Sequence, residues 1–142
     1  MRNGLDVVNL SSVILLVEQD ASVRRLIRLV LEEKGLTVLE ASGGLEAIAL
    51  MLSHEGELAL AIVEITMPGV SGLDFAAQLG IDRPKTQILY LSASPGSVAA
   101  DSISLRKPES ILSMPFSASE LVTRVWRLLM TEEAGRRSKK CP

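Results

Sequence analysis

Val13-Ile14-Leu15-Leu16-Val17 is followed at once by Glu18-Gln19-Asp20. A short, unbroken apolar run is typical of a strand that is buried on both faces of a sheet, and the polar residues after it mark the carboxyl end of that strand. Residues 58–65 repeat the pattern, because they are apolar except for Glu64. Both runs therefore predict central strands of a parallel sheet, each with an acidic residue near its end.

Patterns of helices and strands alternate along the rest of the chain. Apolar residues recur at helical spacing within several segments, and Gly or Pro residues separate these segments. The patterns predict strands at 13–17, 36–40, 58–65, 87–92 and 110–113, and helices at 22–34, 45–53, 73–79, 97–105 and 118–130. Alternating strands and helices favour parallel strands joined by right-handed crossovers, so the predicted fold class is α/β, a doubly wound three-layer sandwich.

Length and composition predict a single domain. The chain has 142 residues, of which 47% are hydrophobic, so one domain over residues 12–130 is expected, with flexible termini at 1–11 and 131–142. No apolar run approaches the roughly 20 residues that cross a bilayer, and no export signal is apparent, which favours a cytoplasmic location. The single cysteine, Cys141, has no partner for a disulfide within the chain.

The charge balance argues against nucleic acid and membrane partners. The net charge is −2, and removing the four cations Arg136, Arg137, Lys139 and Lys140 leaves −6 on residues 1–135. An acidic body with few aromatic residues is unsuited to binding nucleic acid. Four cations without an amphipathic helix are too few for stable membrane attachment. The only histidine, His54, lies in a predicted loop without a second ligand for a metal ion.

A candidate site is expected at the carboxyl edge of the sheet, because open parallel sheets bind ligands beyond the carboxyl ends of their strands. The residues that this rule selects follow strands one, three, four and five: Glu18, Gln19, Asp20, Glu64, Ser92, Met114 and Pro115.

Four segments at these positions resemble response regulator receiver domains. Val17-Glu18-Gln19-Asp20 resembles the acidic-pair segment, and Glu64-Ile65-Thr66-Met67-Pro68-Gly69-Val70-Ser71-Gly72 resembles the phosphoacceptor loop. Leu91-Ser92-Ala93 and Met114-Pro115-Phe116 resemble the Ser/Thr and Lys-Pro-Phe segments, in the family's order. The resemblance implies a flavodoxin-like (βα)5 fold with strand order 2-1-3-4-5. It also implies an aspartate as phosphoacceptor at position 64, a Mg²⁺ ion on the acidic pair and a lysine at position 114.

The chain departs from the family at three of these places. Gln19 replaces a carboxylate that binds Mg²⁺, Glu64 replaces the phosphoacceptor, and Met114 replaces the lysine. We therefore expect no cofactor and weak or absent Mg²⁺ binding; if any persists, Glu18, Glu64 and Thr66 would supply the ligands. Asp20 is predicted to cap the following helix.

The two remaining carboxylates have predictable consequences. Glu64 is one methylene longer than aspartate, which spoils the geometry of phosphoryl transfer and makes Glu64 at best a partial mimic of a phosphate. If Glu18 and Glu64 are close and partly buried, repulsion between them should raise one pKa and favour a shared proton or a bound cation.

Other family positions concern signalling. Ser92 matches the hydroxyl residue that turns toward the phosphoryl group, although a strand-end serine bonded to backbone is an equally good interpretation. Ile111 lies where the family often has a switching aromatic residue, and Thr66, Met67 and Pro68 form the loop after the acceptor position. Lys107-Pro108 also reads Lys-Pro, but no helical capping box follows it, so we reject a shifted alignment.

The resulting functional prediction is a stand-alone receiver-like signalling module, not an enzyme. It would bind a protein partner, a histidine kinase or a downstream effector, through helix four, strand five and helix five, which are also the candidate surface for a homodimer. A first alternative is a conventional phosphorelay receiver that a histidine kinase still phosphorylates. A second is a flavodoxin-like cofactor-binding protein, although Glu18-Gln19-Asp20 would repel a phosphate group.

Overall fold

The computed structural model describes residues 12–94 and 96–140, with side chains as far as Thr131. Five parallel strands form one sheet in the order β2-β1-β3-β4-β5. The strands are β1 (Val13–Val17), β2 (Thr37–Ala41), β3 (Leu60–Glu64), β4 (Gln87–Ser92) and β5 (Ile111–Ser113). The helices are α1 (Ala21–Glu33), α2 (Gly44–Ser53), α3 (Gly72–Asp82), α4 (Val98–Arg106) and α5 (Ala118–Lys140). The predicted fold class and strand order are confirmed.

Two helices are longer than their sequence patterns indicated. The prediction that α3 ends at Leu79 is wrong, because it continues to Asp82; Ile81 is exposed and so falls outside the buried periodicity. The prediction that the last helix ends at Met130 is also wrong, because α5 continues to Lys140; the flexibility expected of residues 131–142 stays a prediction. This extension lacks an apolar stripe, but its sequence places Glu132 and Glu133 four residues before Arg136 and Arg137, which favours a helix. The predicted flexible segment 1–11 and residues 141–142 lie outside the described residues.

The sheet separates two main apolar clusters. One cluster packs α1 and α5 against one face and includes Ile27, Leu31, Leu121 and Val125. The other packs α2 and α3 against the opposite face, with Phe75 fully buried. All five residues of β3 are buried, which is the expected environment of a central strand in a doubly wound sheet. The sheet, packed on both faces, thus positions the groups at its carboxyl edge.

A side-chain cap marks the start of α5. Ser117 Oγ accepts a hydrogen bond from the Glu120 amide at 3.0 Å, and Glu120 Oε1 accepts one from the Ser117 amide at 3.1 Å. This is the capping box predicted from the sequence. It fixes the start of α5 directly after the segment that carries Met114.

Gly72 allows the loop after β3 to fold back on that strand. A Cβ atom added to Gly72 would lie 2.0 Å from the carbonyl oxygen of Glu64, whereas one added to Gly80, also in α3, would meet nothing within 4 Å. Gly72→Ala should therefore lower the free energy of unfolding by about 3 kcal/mol. Gly80→Ala, the matched control, should raise it by up to about 1 kcal/mol, because alanine favours the helix. Urea denaturation measures both; similar values for the two variants would contradict the predicted clash.

Candidate functional site

The residues selected from the sequence converge only in part. Glu18, Glu64 and Ser92 lie at the carboxyl edge of the sheet, at or just after the ends of β1, β3 and β4. All three are buried, with 2%, 6% and 2% of their surface exposed. Backbone hydrogen bonds hold this edge together: the Glu18 amide donates to the carbonyl of Ala41 at 3.1 Å, and the Met114 amide donates to that of Ser92 at 2.8 Å.

Glu18 and Glu64 form a buried acidic pair. Burial is the main cause that raises the pKa of Glu18 to about 8, and the adjacent Glu64 carboxylate adds to it by hydrogen bonding and by charge repulsion. The Oε2 atom of each glutamate is buried without a hydrogen-bond partner. The raised pKa agrees in direction with the sequence prediction for two close carboxylates. At neutral pH, Glu18 therefore holds a proton beside Glu64.

Gln19 and Asp20 do not join this buried pair. Both residues are exposed. Asp20 Oδ1 accepts hydrogen bonds from the amides of Ser22 at 2.9 Å and Val23 at 3.2 Å, so it is the N-cap of α1, as predicted. Its carboxylate is engaged in stabilising the helix.

Arg24, a residue of α1 that the sequence analysis did not select, contributes to the site. Its Nη1 atom donates to the Glu18 carbonyl at 2.8 Å, and its Nε atom lies 3.5 Å from Glu40 Oε1. The guanidinium group thus holds the turn after β1 against the end of β2. No local pattern indicates such a contact, because it depends on how the two strands pair.

Met114 is packed as an apolar residue. Its side chain is half-buried and lies against the cluster formed by α1 and α5, together with Phe116 and Trp126. The Met114-Pro115 peptide bond is cis. Because a thioether carries no charge, position 114 does not supply the acidic pair with the positive partner that the resemblance implies.

Ile111 and Tyr90 are neighbours on β5 and β4. Ile111 is buried and pairs in register with Tyr90, and both belong to a small cluster with Ile65 and Ile103. Burial also raises the pKa of Tyr90. Sequence reasoning looked for an aromatic residue only at position 111 and missed Tyr90, which lies beside that position on the adjacent strand.

The residues of the loop after Glu64 differ in exposure. Met67 is buried against the cluster of α2 and α3, while Thr66 and Pro68 are exposed.

Lys107 is the C-cap of α4 and lines a groove of about 430 Å³ between α3 and α4. That groove contains Gln87, the first residue of β4, so Lys107 lies near the end of the sheet opposite the acidic pair. The position of Lys107 therefore agrees with rejecting the shifted alignment.

The grouping of potential metal ligands is sparse. Within the part of the chain that the structure describes, no three His, Cys, Asp or Glu side chains are grouped so that they could hold a metal ion. No helix among the described residues is long and apolar enough to span a membrane.

Comparison with protein families agrees with the observed strand order. The model of the response regulator receiver domain matches residues 14–126. The chain belongs to this family. The receiver domain is 33% identical over 116 residues to the transcriptional regulatory protein ResD of Bacillus subtilis, a match that covers 82% of the chain and 47% of ResD. It is 28% identical over 123 residues to the sensor kinase CckA of Brucella abortus, covering 87% of the chain and 13% of CckA.

Solved structures show the same fold. A receiver domain protein from Clostridium thermocellum superposes with a TM-score of 0.75 at 21% identity, covering 87% of this chain and 98% of that one. TrrA from Thermotoga maritima, solved in complex with Mg²⁺ and BeF, gives a TM-score of 0.70 at 28% identity and covers 82% of this chain and 98% of that one. The receiver domain thus spans nearly the whole of these solved chains, but about half of ResD.

Proposed function

We propose that this receiver domain signals by binding a partner protein and does so without phosphorylation of residue 64. The observation that carries the proposal is the burial of Glu18 and Glu64 side by side, which raises the pKa of Glu18 and favours a proton on it. A proton held between two carboxylates neutralises part of the charge that a metal ion and a lysine neutralise in the family. The pair can therefore remain buried without either cation.

The residues present fit the family's Mg²⁺ poorly. Phosphoryl transfer needs a cation that neutralises the charge developing on the transferred group. Mg²⁺ prefers several oxygen ligands in octahedral geometry, yet Gln19 offers only an amide and Asp20 caps α1. We therefore propose that Mg²⁺ binding is weak or absent, and that any residual binding uses Glu18 and Glu64 with the exposed loop residue Thr66.

The residues at the phosphoacceptor position and at the lysine position both differ from those of the family. Glu64 carries its carboxylate one carbon–carbon bond, roughly 1.5 Å, beyond the reach of an aspartate, and its Oε2 atom is buried without a partner. Met114 packs against an apolar cluster and offers no charge. A phosphoryl group on Glu64 would therefore be buried without the ion pair that stabilises it in the family.

Receiver domains interact with histidine kinases and effector domains, and we propose that this one binds such a partner through α4, β5 and α5. On α4, Val98 and Leu105 are almost fully exposed, and exposed apolar residues of this kind favour a protein interface. The same surface is the candidate for a homodimer. The acidic balance of residues 1–135 supports a protein partner over nucleic acid. We further propose a cytoplasmic, non-enzymatic role.

The family membership favours a signalling module over the cofactor-binding alternative. A stand-alone role is a separate proposal, because the match covers only 47% and 49% of two transcriptional regulators that the chain resembles. The conventional phosphorelay receiver is the alternative that requires an experiment.

Incubation with acetyl phosphate and Mg²⁺, followed by intact mass measurement, distinguishes a phosphorylation-independent module from a conventional phosphorelay receiver. The expected result is no gain of a phosphoryl group, because the metal ligands and the lysine are replaced. A conventional receiver treated in parallel shows that the donor is active. A stable gain of one phosphoryl group on Glu64 or Asp20 would favour the phosphorelay alternative.

A further inference from the structure

Large apolar side chains face solvent along both α2 and α3. Leu45, Leu52 and Ile81 expose 75%, 66% and 78% of their surface. Helix positions 45, 49 and 52, and likewise 73, 77 and 81, share one face because of the helical repeat. We call the following exposed residues the apolar strip: Leu45, Ala49, Leu52, Leu73, Ala77 and Ile81.

The two helices are held side by side at both ends. At their starts, a Cβ atom on Gly44 would lie only 2.5 Å from that of Val70, just before α3. At their ends, the Arg83 guanidinium donates to the carbonyl of Met51 at 3.0 Å and to that of His54 at 2.5 Å. Both helices connect parallel strands on the same face of the sheet and therefore run in the same direction. The apolar strip therefore consists of two exposed faces on adjacent parallel helices, and Leu73 also borders the groove between α3 and α4.

Exposed acidic residues lie on both helices of the apolar strip, whereas Arg83 follows α3 and Leu73 shares a groove with Lys85, Arg106 and Lys107. None of the 15 Lys and Arg residues lies between positions 35 and 82, whereas this segment contains seven acidic residues. Glu40 pairs with Arg24 and Arg28, and Glu64 is buried. The acidic residues of α2 and α3 themselves are exposed, and they are Glu46, Asp74 and Asp82.

We propose that the apolar strip binds an amphipathic helix of a partner protein whose apolar face is flanked by Lys or Arg residues. An exposed apolar surface with an acidic rim is complementary to such a helix in polarity and in charge. A second copy of this chain fits less well, because the acidic rims would face each other. The helices have 10 and 11 residues, or about 15 Å of length, so a partner helix of roughly three turns would cover the strip. Apart from Leu73, which borders the groove between α3 and α4, this surface lies on helices other than α4 and α5, so the domain would connect two partners.

The test uses the full chain and a labelled model peptide of about four helical turns, with Leu on one face and Lys on the others. Fluorescence anisotropy measures its binding to wild type, to Leu52→Ser/Ile81→Ser, and to Leu26→Ser/Leu29→Ser as a control. The control removes exposed apolar residues from α1 instead. We expect Kd to rise about ten-fold in the strip variant and less than about two-fold in the control. A matched peptide with Glu in place of Lys should not bind.

A charge variant, Asp74→Asn/Asp82→Asn, tests the rim without touching apolar packing, so it remains informative if the strip variant folds poorly. It should raise Kd about three-fold, with a smaller effect at high salt. Equal binding by wild type and both strip and charge variants would overturn the proposal, as would an equal loss in the α1 control. A wild-type dimer in sedimentation velocity that Leu52→Ser/Ile81→Ser converts to monomer would also overturn it, because a second copy would then cover the strip.

Discussion

Between about pH 5 and about pH 8.5, the free energy of unfolding of this receiver domain should fall by on the order of 3 kcal/mol, because Glu18 loses a buried proton. The folded protein raises the pKa of Glu18 from 4.5 to about 8, chiefly through burial and secondarily through Glu64. The folded state therefore binds this proton at pH values where the unfolded chain has released it. The resulting stabilisation is complete below about pH 4.5 and is lost as the pH rises to about 8.

Glu18→Gln should remove most of this dependence. The amide has the shape of the protonated acid and can still donate to Glu64, so the variant should match wild type near pH 5. Near pH 8.5 it should be more stable by on the order of 2 kcal/mol, because no charge is buried beside Glu64. Urea denaturation at several pH values, followed by circular dichroism, measures the effect.

Glu33→Gln is the matched control, because Glu33 is an exposed glutamate of α1. It should reproduce the wild-type dependence on pH. A wild-type stability that is constant or rises over this range would show that Glu18 and Glu64 do not share a buried proton. Parallel curves for wild type and Glu18→Gln would lead to the same conclusion.

Much of the fold could be predicted because local patterns agree with the tertiary structure. The run Val13–Val17 is apolar throughout and forms a buried central strand, and Pro68 with two nearby glycines marks the loop after β3. The ends of α3 and α5 could not be predicted in the same way. Both extend through stretches whose sequence has no apolar stripe, so hydrophobic periodicity gives no signal there.

The site was less predictable, because its properties depend on side-chain direction and on contacts distant in sequence. Adjacent polar residues after β1 differ in burial: Glu18 is buried, whereas Gln19 is exposed. The backbone contact of Arg24 and the position of Tyr90 beside Ile111 follow from strand pairing. The repulsion between Glu18 and Glu64 was predictable in direction, because both follow neighbouring parallel strands; the burial that dominates the pKa was not.

Restoring three family residues should make this domain accept a phosphoryl group far faster than the wild type does. Gln19→Asp returns a carboxylate for Mg²⁺, Glu64→Asp shortens the acceptor, and Met114→Lys supplies the cation for the phosphoryl group. A metal ion and a positioned cation act on the same developing charge, so the three changes should act together. With acetyl phosphate and Mg²⁺, the triple variant should gain one phosphoryl group at a rate at least about 100-fold above wild type.

Met114→Lys is the most demanding of the three substitutions. Met114 is half-buried against the α1 and α5 cluster, so a lysine there must lay its methylene chain along apolar neighbours and extend its ammonium group toward the carboxylate of residue 64. Strand order favours this arrangement of the lysine. The Met114 amide already donates to the Ser92 carbonyl at the end of β4, and β4 lies next to β3, which ends at residue 64. Intact mass and peptide mapping measure whether the phosphoryl group resides on residue 64.

Two controls separate the contributions. Using Gln19→Asn instead of Gln19→Asp in the triple variant keeps an amide at the metal position and should abolish most of the gain, because only a carboxylate neutralises Mg²⁺. Adding Lys107→Ala should leave the gain unchanged, because Lys107 lies in the groove between α3 and α4. If the triple variant folds, as its circular dichroism would report, and still takes no phosphoryl group, then the three replacements do not determine whether this domain is phosphorylated.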